Sequence, residues 1–168
     1  GCLNAEMPRL LELITSPQSK KLLSIFLWSE ESKKISKRSS TPERVGVIGA
    51  GLMGSQIAAN LSESGIGSVL KDIEPKFVSL GMDRINQTWK KDLDKRIIKR
   101  VEFDERLLRV YPTTSWDQLK KSDFVIEAVK EVLPLKQKLA EEFEATTSDQ
   151  SIFATNTSSF TVSEIAEN

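Results

Sequence analysis

Between Arg44 and Asp72 short apolar runs flank one amphipathic stretch. Val45, Val47 and Ile48 form a run of the length and character of a buried parallel strand. Gly54, Ile57, Ala58 and Leu61 then recur at i, i+3, i+4 and i+7, the spacing of one helix face. Gly65 stands where a helix-ending glycine belongs, and Ser68, Val69 and Leu70 begin a second strand that ends at Asp72.

The same alternation continues downstream. Pro75 opens a long helical region in which Val78, Met82, Ile85 and Trp89 form a stripe. Leu93 and Ile97 extend it, predicting one long helix or a helix pair. Residues 104–109 continue as helix, Val110 to Thr114 reads as a short strand, and Trp116 to Lys120 as a helical turn. Asp123 to Val129, DFVIEAV, is a buried strand with Glu127 and Glu131 at and just past its end. Pro134 opens a helix with Leu135, Leu139 and Phe143 on one stripe. Ser151 to Ala154 is a further strand, and a last helix starts near Thr161. This order predicts an α/β fold: a Rossmann-type, doubly wound parallel sheet, incomplete at its far edge. Strand ends after Ile48, Leu70, Val129 and Ala154 then share one rim, where Gly49 to Gly54, Asp72, Glu131 and Asn156 to Ser158 converge.

Residues 1–37 read as helix, with Ser16-Pro17 as an N-cap and first-turn pair and Leu22, Ile25 and Phe26 on one packing face. Residues 31–43, ESKKISKRSSTPE, read as an exposed linker. The division expected is a helical linker segment, 1–43, and a nucleotide-binding domain, 44–168.

The glycines supply the first chemistry. Gly49, Gly51 and Gly54 lie at G-x-G-x-x-G spacing between the first strand and its helix. The first allows a tight turn, the second lets a pyrophosphate approach the backbone, and the third lets helix and strand pack closely. The N–H groups at the helix start then favour the phosphate charge. Asp72, 18 positions after Gly54, stands where an acid accepts from the adenosine ribose hydroxyls. It would repel a 2′-phosphate, which favours NAD over NADP. Neighbouring Lys71 points to the opposite face of the strand.

Composition narrows the rest. The chain of 168 residues is 39% apolar and 29% charged with a formal net charge of zero, a globular balance that argues against bulk nucleic-acid binding. Its single cysteine, Cys2, permits no internal disulfide. There is no histidine, so no histidine base or ligand, and no Cys/His cluster for zinc. No apolar run reaches transmembrane length, and no signal or transit pattern opens the chain. The first residue is Gly1 rather than Met, and both ends read as cuts in a longer protein. Between residues 90 and 100 the cations Lys90, Lys91, Lys95, Arg96, Lys99 and Arg100 outnumber Asp92 and Asp94. They form either a solvated face or a surface for a phosphorylated ligand.

The segments GAGLMGSQIA, LKD, DFVIEAVKEVLPLKQKL and IFATNTSSFTVSEIA resemble the NAD-binding domain of the L-3-hydroxyacyl-CoA dehydrogenases. LLELITSPQSKKLLSIFLW resembles the helix that joins hydratase to dehydrogenase in multifunctional fatty-acid β-oxidation proteins, with the alpha-subunit type of the mitochondrial trifunctional enzyme the nearest likeness. The resemblance implies that Gly49, Ala50, Gly51, Leu52, Met53 and Gly54 hold the pyrophosphate, and Asp72 the ribose, of NAD. It implies that Glu131 and Lys136 line the nicotinamide half. Asn156 and Ser158 match the catalytic Asn-Thr-Ser turn, whose serine hydrogen-bonds the substrate's 3-hydroxyl or keto oxygen. Thr88 and Lys95 fall near coenzyme A contacts. The family's proton-transferring histidine and its glutamate belong to a strand beyond Asn168, and an enoyl-CoA hydratase domain would precede Gly1. The implied reaction is NAD-dependent oxidation of (3S)-3-hydroxyacyl-CoA to 3-ketoacyl-CoA in the full-length parent, the fragment alone being inactive. Implied with it are a mitochondrial setting (or a peroxisomal one), a thiolase-type beta partner and peripheral inner-membrane association. Two other readings compete: a 3-hydroxyisobutyrate or 6-phosphogluconate type dehydrogenase, and a non-catalytic nucleotide-binding module.

Overall fold

The structure is a computed structural model that describes residues 13, 15–36 and 42–167. The chain divides into two compact units, Gly1–Thr41 and Pro42–Asn168. In the first, the described residues form helix α1, Pro17–Ser36. Ser16 caps it, its Oγ accepting the Ser19 N–H at 3.2 Å. The helix runs through Glu31 to Ser36, which composition assigned to a linker. Glu and Lys are good helix formers, so a charged run does not by itself end a helix. Leu22, Ile25, Phe26 and Trp28 are exposed on α1. Cys2, Lys37 and Arg38 lie outside the described residues.

The second unit is built on five parallel strands: β1 Arg44–Ile48, β2 Gly67–Lys71, β3 Val110–Thr113, β4 Phe124–Glu127 and β5 Ile152–Thr155. Their order across the sheet is β3-β2-β1-β4-β5. Helix α2, Leu52–Glu63, crosses from β1 to β2, and α3, Pro75–Asp94, with α4, Arg100–Leu108, crosses from β2 to β3. A 3-10 turn, Trp116–Leu119, precedes β4, helix α5, Leu133–Thr146, follows it, and α6, Val162–Ala166, follows β5. Alternation along the strands splits the core in two. Val47 and Leu70 pack with Ala58, Ile85, Trp89 and Phe103 from α2, α3 and α4. Ile48, Val69 and Val125 pack on the other face with Leu139 and Phe143 from α5.

Several boundaries differ from those the sequence predicts. The long helical region takes the second of its two predicted forms, a helix pair, but the apolar stripe does not run on to Ile97. At the end of α3 the Arg96 N–H donates to Leu93 O at 2.9 Å and the Ile97 N–H to Asp92 O at 2.8 Å, with Arg96 at φ 59°. That is a Schellman turn with an arginine in the left-handed position. It breaks the stripe, so Ile97 is 66% exposed and Ile98, at 6%, takes its place in the core. Strand β4 ends at Glu127 rather than Val129, because the Val129 N–H turns back onto the Glu127 side chain at 2.7 Å. Strand β2 ends at Lys71, one residue before Asp72, β3 ends at Thr113, one before Thr114, and β5 runs one residue further than Ala154.

Candidate cofactor and substrate site

The order of the strands decides where a ligand can sit. The chain leaves β1 towards β2 and β3, then returns to β4 on the other side of β1. The loops after β1 and β4 therefore diverge, opening a crevice at the carboxyl ends of the strands. Register aligns those ends: Ile48 pairs with both Lys71 and Glu127, and Glu127 with Thr155. The residues that follow, Gly49, Asp72, Ala128 and Asn156, leave the sheet at one rim.

The glycine loop explains its own sequence. Gly49 has φ +102°, and a Cβ there would meet Ala128 O at 2.6 Å. A Cβ on Gly54 would lie 1.7 Å from Gly49 O, so α2 sits directly against the turn. Nothing approaches Gly51 within 4 Å on its Cβ side, which leaves its backbone open to a phosphate. Helix α2 begins with no side-chain cap, so its first N–H groups remain available to an anion. Leu52 and Met53 are exposed in the first turn. These features fit a dinucleotide pyrophosphate.

Asp72 is fixed by two backbone bonds. Its Oδ2 accepts the Ala50 N–H at 2.7 Å and its Oδ1 the Ile73 N–H at 2.7 Å. The acid is thus tied to the loop it serves. Two further groups hold Ala50 from α3: Arg84 Nη1 donates to Ala50 O at 3.1 Å, and Gly81 lies so close that a Cβ would meet the Ala50 Cβ at 2.8 Å. Neither has a signal in the G-x-G-x-x-G pattern, since both reach the loop from a separate helix. Lys71 points away from Asp72, as strand alternation requires, and its ammonium lies over the Trp116 ring at 4.7 Å. Burial holds the Lys71 ammonium below the usual lysine value, partly offset by the Glu142 and Asp72 charges.

The other half of the rim is made of side chains. Glu127 and Lys136 are both 0% exposed, with Lys136 Nζ 2.7 Å from Oε2 and 2.9 Å from Oε1. Thr155 Oγ1 donates to Glu127 Oε2 at 2.7 Å. Lys136 Nζ also stands 3.6 Å from Glu131 Oε1. Thr157 Oγ1 donates to Glu131 Oε2 at 2.7 Å and accepts the Ser159 and Phe160 N–H groups at 3.2 and 3.3 Å. Asn156 and Ser158 are exposed at the rim on this turn. The structure thus brings Glu131, Lys136 and the Asn156-Thr157-Ser158 turn together. The sequence pattern assigns no separate role to Thr155 or Thr157 and marks Glu127 only by its place at the strand end. The available signal was a carboxylate inside an otherwise apolar strand, because a buried charge needs a partner.

Thr88 lies on α3, in a groove that reaches Leu52 at the start of α2, and Lys95 lies beyond it at the end of α3. Thr88 lines a groove of about 480 Å³ between α2 and α3, together with Ser55, Asn60, Arg84 and Lys91. Lys95 is the C-cap of α3. The basic residues from Lys90 to Arg100 are exposed, with Arg100 paired to Asp104 at 2.9 Å. No helix among the described residues is long and apolar enough to cross a membrane.

Residues 44–168 match the family described as 3-hydroxyacyl-CoA dehydrogenase, NAD binding domain. The chain is 31% identical, over 98% of its length, to fatty acid oxidation complex subunit alpha of Acinetobacter baumannii strain AYE, and 34% identical, over the same share, to that of Vibrio vulnificus strain CMCP6. It spans 24% of the length of each of these relatives. Among solved structures it is similar to (S)-3-hydroxybutyryl-CoA dehydrogenase from Ralstonia eutropha, with 30% identity and a TM-score of 0.71 over 74% of this chain and 44% of that one. It is also similar to the 3-hydroxybutyryl-CoA dehydrogenase from Escherichia coli, with 28% identity and a TM-score of 0.72 over 75% of this chain and 27% of that one. These relatives are bacterial, and bacteria have neither mitochondria nor peroxisomes. That overturns the compartment drawn from the trifunctional-enzyme likeness, which rested on motifs common to the whole family. The glycine loop with its acid, the five-stranded parallel sheet and the match across residues 44–168 agree, and the chain belongs to the NAD-binding domains of the 3-hydroxyacyl-CoA dehydrogenases.

Proposed function

We propose that the protein carrying this chain oxidises (3S)-3-hydroxyacyl-CoA to 3-ketoacyl-CoA with NAD, and that residues 44–168 supply the cofactor half of its active site. The observation that carries this reading is the single rim. The Gly49–Gly54 loop and Asp72 lie on one side of the β1/β4 crevice, and Asn156 and Ser158 on the other.

In this reading the Gly51 backbone and the first N–H groups of α2 take the pyrophosphate, and Asp72 takes the ribose. Bound NAD supplies the hydride acceptor. Glu131 flanks the nicotinamide half, and the buried Lys136 ammonium stands behind it. Ser158 donates to the oxygen on the substrate's C3, and Asn156 positions the turn. The base that removes the hydroxyl proton lies in the part of the protein after Asn168. Coenzyme A runs along α3 past Thr88 and Lys95. Relatives named as the alpha subunit of a complex support a beta partner, which we take to be of thiolase type. The likeness of the segment around α1 to a joining helix supports an enoyl-CoA hydratase in the same polypeptide.

The test uses the full-length protein and follows NADH formation from a (3S)-3-hydroxyacyl-CoA. Ser158→Ala is expected to lower kcat/KM by about 10–100-fold, the worth of a hydrogen bond to a charged or charging oxygen. A wild-type protein that forms no NADH from this substrate, or a Ser158→Ala variant of undiminished rate, would contradict the reading.

A further inference from the structure

The polar groups at the substrate end of the rim form a chain of contacts that begins in the interior. Glu127, fully buried, accepts from Lys136 with both oxygens, from the Val129 N–H and from Thr155 Oγ1. It therefore joins β4, α5 and β5 at the point where the turn leaves the sheet. Lys136 is also fully buried, so its ammonium acts on its neighbours rather than on solvent. One neighbour is the partly exposed Glu131, 3.6 Å away. The next contact is Thr157, whose Oγ1 holds Glu131 and gathers the Ser159 and Phe160 N–H groups around Ser158.

We propose that Glu127 is a positioning residue for the substrate half of the site, acting through Lys136 and Glu131 on the turn that carries Ser158. The proposal deepens the reading above and rests on it for the meaning of Ser158. Without the Glu127 charge, Lys136 draws Glu131 inward as its remaining carboxylate. Glu131 then leaves Thr157, and the turn loses the acceptor that orders it. Charge matters here more than size, because Gln fills the same space but offers Lys136 no anion.

The test replaces Glu127 with Gln and measures backbone order at residues 157–160 by nitrogen relaxation in the chain without ligand. The wild-type turn is expected near the rigid value of about 0.85, and Glu127→Gln below about 0.6, while Val47 in β1 is unchanged. NAD titration alongside is expected to weaken about tenfold. A turn that keeps its order in a folded Glu127→Gln variant overturns the proposal. Thr155→Val serves as the second variant in case Glu127→Gln does not fold. It removes one bond to Oε2 without removing charge, and is expected to loosen the turn by a smaller amount with the fold intact. An unchanged turn in Thr155→Val, with Glu127→Gln unfolded, also overturns it. The order measurement needs no cofactor. A chain that shows these changes yet never binds NAD counts against the proposed function and leaves the coupling standing.

Discussion

The two sides of the β1/β4 crevice are built from different materials. On the Gly49–Asp72 side the main chain does the work: a left-handed glycine, a helix packed against the turn, uncapped N–H groups and one carboxylate tied to Ala50. On the Glu127–Ser158 side the work falls to side chains from three elements and the turns that follow them, with a fully buried ion pair at their root. A site of the first kind is local in sequence and fails by steric clash. A site of the second kind fails by stranding a charge. The contrast predicts that damage to the first half always reaches ligand binding, with a stability loss only where a clash moves the loop, and that damage to the second half appears first in stability.

The sharpest way to break the contrast is Lys136→Met. It leaves Glu127 buried without its cation and is expected to cost about 3–5 kcal/mol in a urea unfolding experiment. Changing both members together, Glu127→Leu with Lys136→Met, is expected to recover most of that loss, since no charge is left stranded. A Lys136→Met variant as stable as the original would show that Glu127 is not stranded by the loss of its cation.

Gly54→Ala comes next. The new methyl would stand 1.7 Å from Gly49 O, backbone that can yield only if the loop moves. A loss of about 3 kcal/mol is expected, together with loss of NAD binding. Asp72→Ala is expected to weaken NAD about 10–100-fold with a smaller effect on melting, since it removes an acceptor from the ligand as well as from Ala50.

Arg96→Gly runs in the opposite direction. The residue already has φ 59°, so glycine is expected to stabilise the chain by about 0.5–1 kcal/mol. Gly65 makes the same turn at the end of α2 with the residue type the geometry favours.

The smallest effect concerns pH. The Lys71 ammonium is held below its usual 10.5, so the unfolded chain binds the extra proton more readily. Stability is therefore penalised at neutral pH, and the penalty is lifted as pH rises from the lowered folded value towards 10.5. Lys71→Met is expected to flatten that alkaline rise in a pH series of melting curves.

These differences explain what was legible beforehand. The strands, the glycine loop and Asp72 follow from period and spacing within one stretch of chain, so sequence order was enough to place them. The capping of α6 was equally local, with Thr161 and Glu164 forming a capping box. The break at Arg96 was not legible, because apolar residues at Leu93, Ile97 and Ile98 fit either register and only the turn selects Ile98. Arg84 and Gly81 touch Ala50 from a helix whose own pattern says nothing of the loop. The Glu127–Lys136–Glu131–Thr157 chain needed three segments brought to one rim, which spacing along the sequence does not express.

The central claim is that Gly49 to Asp72 forms an NAD site. Calorimetric titration of NAD into the chain, with NADP as competitor and Asp72→Ala as the variant, tests it most directly. The account predicts binding of NAD that NADP does not match and that Asp72→Ala loses while the variant stays folded. A folded chain that binds neither nucleotide, or an Asp72→Ala variant that binds NAD as well as the original, would contradict it.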